Sequence, residues 1–145
     1  MLRGIHPLLL PDLLHALAAM GHGDRIAIVD ANFPALSHAK RCIAVPGVAA
    51  TAVLEAILSV LPIDDFEPHP VSVMQVVGDA AMIPEAVREF TDILQHYNLA
   101  PPARLDRHAF YRATVEAFAV VRTGERRFYG NILLTKGVLP ADAPA

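Results

Sequence analysis

Apolar positions along the chain change their period several times, and each change marks an element. From Pro11 to Met20, the residues Leu10, Leu13, Leu14, Leu17 and Ala18 recur at three- and four-residue intervals, the spacing of one helix face. Pro11 fits a first helical turn, and Asp12 beside it suits the positive end of the helix dipole. Gly21 then stands where a helix end takes a left-handed residue. Arg25 to Asp30 is a nearly unbroken apolar run, as expected of a strand covered on both faces. A turn around Pro34 occupies Ala31 to Ala35, and Arg41 to Pro46 is a second short strand. The helical period returns from Ala49 to Leu61, with Leu54, Ile57, Leu58 and Leu61 on one side. Pro62 to Pro70 is a proline-rich, acidic loop.

Val71 to Val77 is again strand-like and is broken by Gly78-Asp79. Pro84 and Glu85 open a third helix lined by Ala86, Phe90, Ile93, Leu94 and Tyr97. After Pro101-Pro102, Arg104 to Asp106 reads as a short strand followed by one or two helical turns through Tyr111. Glu116 to Arg122 and Arg127 to Thr135 are apolar strands separated by Thr123-Gly124-Glu125-Arg126, a spacing that predicts a hairpin or tight loop. Strands alternating with helices predict a layered α/β domain, and the closing hairpin makes its sheet mixed. No repeat or long linker divides the chain, so residues 1–145 are expected to form one domain.

Composition adds one expectation and several exclusions. Hydrophobic residues make up 54% of the chain, and the mean hydropathy is +0.39. No run approaches the roughly 18 apolar residues of a membrane span, so the surplus apolar surface is expected to be buried between subunits of a homo-oligomer. The net charge of −3 and the lack of a basic patch with interleaved aromatics argue against nucleic acid as a partner. Cys42 is the only cysteine, which excludes an internal disulfide and a cysteine-rich zinc site. The first residues lack the pattern of a signal peptide, and the expected compartment is the cytoplasm.

A few polar residues interrupt this apolar pattern. His22 lies between Gly21 and Gly23, where the backbone turns sharply and leaves the imidazole unshielded. A histidine titrates near neutrality and suits proton transfer, although a turn histidine can equally cap the preceding helix. Asp30 ends a buried strand, the place where layered α/β proteins bind ligands. It can accept hydrogen bonds from vicinal hydroxyls, or serve as an Asx turn residue. The two groups are expected to face one cleft. Tyr129-Gly130-Asn131 falls in an otherwise apolar stretch, where a buried amide needs partners and a glycine permits close approach. A bulge at a sheet edge would read the same way. Arg107 stands beside Asp106 at a helix start, where a solvated charge is the ordinary outcome. No histidine pair has helical zinc-site spacing, and no phosphate loop or Gly-x-Ser-x-Gly elbow occurs. Neither a metal nor a cofactor is expected.

Taken in order, Met20-Gly21-His22-Gly23-Asp24, Asp30-Ala31-Asn32-Phe33-Pro34, Arg107, Phe110-Tyr111, Thr123-Gly124-Glu125 and Tyr129-Gly130-Asn131-Ile132-Leu133-Leu134 resemble the L-fucose mutarotase and D-ribose pyranase family. Met1-Leu2-Arg3-Gly4-Ile5 and Lys136-Gly137-Val138 extend the resemblance to nearly the whole chain. It implies a three-layer α/β/α subunit in a decameric ring, with each active site near a subunit boundary. It also implies interconversion of the anomers of a free monosaccharide without metal or cofactor. In that scheme His22 is the catalytic acid/base, and Tyr129 either partners it for protons on the opposite side or only positions the sugar. Asp30, Arg107, Tyr129 and Asn131 would contact the sugar, with Gly130 supplying backbone beside them. Arg107 and the bulky Phe33 side with the fucose branch, whereas Leu36 and His108 depart from it. A D-ribose pyranase, a non-catalytic sugar-binding ring and a metal-dependent hydrolase or isomerase are the alternatives.

Overall fold

Alternating side chains in the central strands point to opposite sides, and both sides are covered. The computed structural model describes residues 2–143. Helix α1 (Pro11–Ala19) leads into strand β1 (Arg25–Val29), followed by the single-turn helix α2 (Ala35–His38) and β2 (Cys42–Val45). Next come α3 (Ala50–Leu58), β3 (Val71–Met74), α4 (Glu85–His96) and β4 (Ala103–Leu105). The chain closes with α5 (Arg107–Glu116), β5 (Ala119–Thr123) and β6 (Ile132–Thr135). Ile26 and Ile28 of β1 join Val121, Ile132 and Leu134 against Leu13, Leu17, Leu54, Ile57, Phe90 and Leu94 of α1, α3 and α4. Ala27 and Val29 face the other way, with Val120 and Leu133, onto Phe33, Ala35, Phe110 and Ala113 around α2 and α5. The two-residue period of a strand thus divides one sheet between two cores, and a single α/β domain with helices on both faces results.

The sheet order is β2-β5-β1-β6-β3-β4. It is mixed, as expected, but not through a hairpin. β5 pairs in parallel with both β1 and β2, so neither of its edges is open to β6. β6 lies antiparallel between β1 and β3, and it alone among the six strands runs against the others. Residues 124–131 carry the chain across the end of β1, where the Ala31 N–H donates to the Glu125 carbonyl at 2.8 Å. Gly124 is therefore not a hairpin turn residue. A Cβ there would lie 2.5 Å from the Gly47 amide nitrogen, so the glycine permits two backbones to touch.

Three further expectations are corrected. The helix after β4 runs on to Glu116, beyond the one or two turns expected, with Asp106 Oδ1 accepting from the Ala109 N–H at 2.9 Å as its N-cap. The strand expected to begin at Glu116 accordingly starts at Ala119, and that expected from Arg127 starts at Ile132. α1 ends on Met20 in an extended conformation, and the left-handed residue is Gly23 (φ 81°), not Gly21. A side chain completes that helix end: Lys136 Nζ donates to the carbonyls of Leu17 (2.9 Å) and Met20 (2.6 Å), placing a cation at the negative end of the dipole. Among the described residues no helix is long and apolar enough to cross a membrane.

Candidate functional site

Five strands point their carboxyl ends to one edge of the sheet, and the reversed β6 brings its amino end to the same edge. A cavity of about 420 Å³ opens there, lined by Asp30, Asn32, Phe33, Met74, Val77, Arg107, Tyr111, Phe128, Tyr129 and Asn131. Four of the residues picked out from the sequence, Asp30, Arg107, Tyr129 and Asn131, thus meet in one place. They come from three separate segments: the ends of β1 and β4 supply the first two, and the approach to β6 the others.

Asp30 and Asn131 form the floor. Asn131 Oδ1 accepts from the Asp30 N–H at 2.9 Å, and its Nδ2 donates to Asp30 Oδ2 at 2.8 Å. The two contacts fix which way the amide points. Asp30 Oδ1 accepts from the Asn32 N–H at 2.9 Å, as in the Asx-turn reading of this residue. Burial pushes the Asp30 carboxyl above its ordinary pKa, and the hydrogen bonds from Asn32, Asn131 and Phe33 hold that rise back. Each carboxylate oxygen retains a lone-pair direction that a hydroxyl donor can use.

Tyr129 is held in a left-handed conformation (φ 62°), which costs a non-glycine residue about 1–2 kcal/mol. Its ring is thereby turned toward the cavity, and its hydroxyl oxygen accepts from the Val77 N–H at 3.1 Å. The phenolic proton is left for a ligand. A functional site is where such strain is retained.

Gly130 has a different reason from the one its sequence context offered. It does not line the cavity. A Cβ on it would stand 2.5 Å from Glu125 Cγ, and Glu125 is not free to move aside. Its carboxylate receives Arg127 Nε at 3.0 Å and Nη2 at 2.9 Å, and Arg127 also reaches Glu89 of α4 at 2.6 Å. This cluster fastens the loop bearing Tyr129 and Asn131 to α4. Gly130→Ala is expected to lower the melting temperature by an amount equivalent to about 1–3 kcal/mol, the usual range for overpacking, with a parallel loss of ligand affinity. Calorimetric scanning with and without L-fucose, the sugar that the sequence resemblance implies, measures both. Unchanged melting would mean that Glu125 yields easily.

His22 does not join this cavity within one subunit. It precedes β1 whereas Asp30 follows it, and the extended run of residues 25–30 between them, at roughly 3.3 Å per residue, sets the two on the order of 20 Å apart. The expectation that both face one cleft of the same chain is therefore corrected by the direction of the strand itself. At the far edge, His22 Nε2 lies 2.8 Å from Asp64 Oδ1, and its ring is 5.4 Å from that of Phe66. Asp64 is buried, and burial works to raise its pKa, but the bonds from His22 and from the Glu67 and Phe66 amides outweigh it and hold the carboxyl below its usual value. Sequence reading missed Asp64, since Asp64-Asp65 in a proline-rich loop looks solvated. Among the described residues, no group of three or more His, Cys, Asp or Glu side chains is placed to hold a metal ion.

An open α/β/α sheet with a polar, part-apolar cavity outside its strand ends defines a small-molecule binding protein of the layered α/β class. Comparison with known proteins narrows that class. The sequence pattern of the RbsD / FucU transport protein family matches residues 3–139. The fucose mutarotase of Streptococcus pneumoniae, solved in complex with L-fucose, is 36% identical with a TM-score of 0.91, covering 96% of this chain and 100% of its own. FucU from Bifidobacterium longum is 31% identical with a TM-score of 0.90 (95% and 100% covered), and Bacillus subtilis RbsD, complexed with D-ribose, 25% identical with a TM-score of 0.75 (93% and 98% covered). The chain belongs to the RbsD/FucU family.

Proposed function

We propose that this protein is a sugar mutarotase, an isomerase that interconverts the α and β anomers of free L-fucose by opening and reclosing the ring. The observation that carries this reading is the convergence of Asp30, Arg107, Tyr129 and Asn131 on a cavity of about 420 Å³, within the roughly 300–1,000 Å³ range of small-molecule sites. Their acceptors and donors suit vicinal hydroxyls. Phe33, Met74, Val77 and Phe128 give the same cavity an apolar side, which suits the methyl group of a 6-deoxy sugar and leaves the extra hydroxyl of a hexose without a partner. Leu36 and His108, the two departures from the fucose branch, lie outside the cavity lining.

The chemistry needs two coordinated proton movements. One group takes the proton of the anomeric hydroxyl while another delivers a proton to the ring oxygen. The C1–O bond of the ring breaks, C1 becomes an aldehyde, and rotation about the C1–C2 bond precedes closure on the other face. Tyr129, whose hydroxyl proton is uncommitted, is positioned for one movement. His22 supplies the other. Because its own cavity is about 20 Å away by the strand-rise reckoning, His22 acts in the cavity of a neighbouring copy. The ring-shaped homo-oligomer, a decamer by family resemblance, provides that neighbour. An apolar groove beside His22, lined by Ile5, Leu14, Val60 and Leu139 among others, supports assembly at that end of the sheet.

Saturation-transfer NMR on L-fucose and D-ribose with catalytic amounts of protein tests the reading. Exchange between the fucose anomers, faster than that of ribose forms, is expected. Ligand broadening without exchange would make the protein a sugar-binding ring without catalysis, and faster ribose exchange would make it a pyranase.

A further inference from the structure

We infer that Phe128 is the specificity-determining residue of the sugar cavity, taking the C6 methyl group by which L-fucose differs from the pentose of the same ring configuration. The inference deepens the mutarotase reading and rests on the cavity of Asp30, Arg107, Tyr129 and Asn131 being its sugar site. Four apolar side chains line that cavity: Phe33, Met74, Val77 and Phe128. Two of them already lie in the core under α2 and α5, Phe33 with 6% of its surface exposed and Met74 with 5%. Val77 is 56% exposed and Phe128 75%. Apolar contact stabilises a complex by removing water from surface that is still wet. The stabilisation open to a sugar methyl therefore rests on Val77 and above all on Phe128, the larger of the two.

A single exposed phenylalanine is ordinary on a protein surface. What sets Phe128 apart is how it is mounted. Arg127 before it is bound to Glu125 and Glu89, and Tyr129 after it accepts from the Val77 N–H through its hydroxyl at 3.1 Å. The backbone of Phe128 is thus held at the cavity rim on both sides, and little conformational freedom is lost when a ligand meets the ring. The fold makes no other use of that ring. Among the described residues it belongs to neither core and packs on no other aromatic ring, whereas Phe33 meets Tyr111 at 5.1 Å and Phe110 at 6.1 Å.

Recognition then divides along the sugar. The Asp30 carboxylate and the Asn131 amide bind hydroxyls, which every aldose offers. A phenyl ring has no hydrogen bond to give, so it responds to the one carbon of L-fucose that carries no oxygen. D-arabinose is the matched probe. Its pyranose form has the hydroxyl configuration of L-fucose at C2, C3 and C4 and lacks only the methyl group. Calorimetric titration of the assembled protein with the two sugars tests the inference. The parent is expected to bind L-fucose about tenfold more tightly, the lower end of what one methyl group contributes in an apolar pocket, because the rim is open. In Phe128→Ala the L-fucose dissociation constant should rise about fivefold and that of D-arabinose less than about twofold, so that the preference falls to about fourfold or less. In anomer exchange the change should appear in KM, with kcat altered less than about twofold, since a contact made alike in ground and transition states is uniform binding.

A parent protein that binds the two sugars alike overturns the inference before any variant is made. A Phe128→Ala protein that loses affinity for both sugars equally overturns it as well, since the ring would then only shape the rim. So does a Phe128→Ala protein that sediments as smaller particles than the parent, since a neighbouring copy would then be what covers the ring. Absence of anomer exchange in a parent that prefers L-fucose would instead remove the mutarotase reading and leave the role of Phe128 in place.

Discussion

Replacing His22 by alanine is expected to slow anomer exchange of L-fucose by about 10²–10⁴-fold, the usual contribution of a positioned acid or base, without weakening sugar binding. The two effects separate because the hydroxyl-binding set and the imidazole occupy opposite edges of the sheet. A cavity that still holds Asp30, Arg107, Tyr129 and Asn131 should bind the sugar with its affinity little changed, as read by calorimetric titration. The His22→Ala and Asp30→Ala proteins, each inactive alone, should regain activity when unfolded, mixed in equal amounts and refolded together. Random assortment leaves about one site in four with an intact imidazole from one chain and an intact carboxylate from its neighbour. No recovery on mixing, with both proteins assembled, would mean that the imidazole reaches the cavity of its own chain after all.

The second large effect is one of stability. Arg127→Ala is expected to destabilise the fold by about 2–3 kcal/mol, because removing the half-buried guanidinium strands the buried Glu125 carboxylate. Glu125 would keep backbone donors but lose the guanidinium, and Glu85 and Glu89 would face it across the gap. Arg127, then burial and the backbone bonds working against each other, set the Glu125 carboxyl at about 2 in the folded protein against 4.5 ordinarily. The folded state thus binds fewer protons in that window. The stability Glu125 lends is complete above pH 4.5 and is lost as the pH falls toward about 2. Denaturant midpoints measured from pH 6 down to pH 2.5 should fall in the parent and stay flatter in Arg127→Ala. Parallel curves would show that Glu125 titrates alike in both states. Asp30 has the opposite sign. Its pKa is raised, so its contribution is greatest below 3.8 and is lost as pH rises through its folded value. At neutral pH it works against folding, as a carboxylate held ready for a ligand does.

The sheet shows which parts of the pattern carried information. Continuous apolar runs located β1 and β3, and helical spacing located α1, α3 and α4, since burial demands those periods. Strand neighbours were not legible. Thr123-Gly124-Glu125-Arg126 has the residues of a hairpin, but its glycine answers to Gly47 across the sheet, a contact between positions far apart in the chain. The four residues of α2 were too few to show a period. At the site, Asp30, Tyr129 and Asn131 stood out because polar groups next to buried strands need partners, and the partners proved to be largely one another. Asp64 left no such mark: it lies in an acidic loop, and its relation to His22 spans 42 positions. Gly130 was singled out for the close approach of a backbone or ligand, and the neighbour that would meet a Cβ there is Glu125, which no periodicity reveals.

In the proposed assembly, β1 separates what a subunit keeps from what it lends. Ile26, Ala27 and Ile28 are paired on both sides, and Arg25 and Val29 on one, so the strand can neither stretch nor slip, and it serves as a ruler between the cavity and His22. In a closed ring that ruler sets how far around the circle each chain must reach to meet the next. Loops at either end can lengthen freely during evolution, but inserting a single residue into this strand would alter the circumference of such a ring.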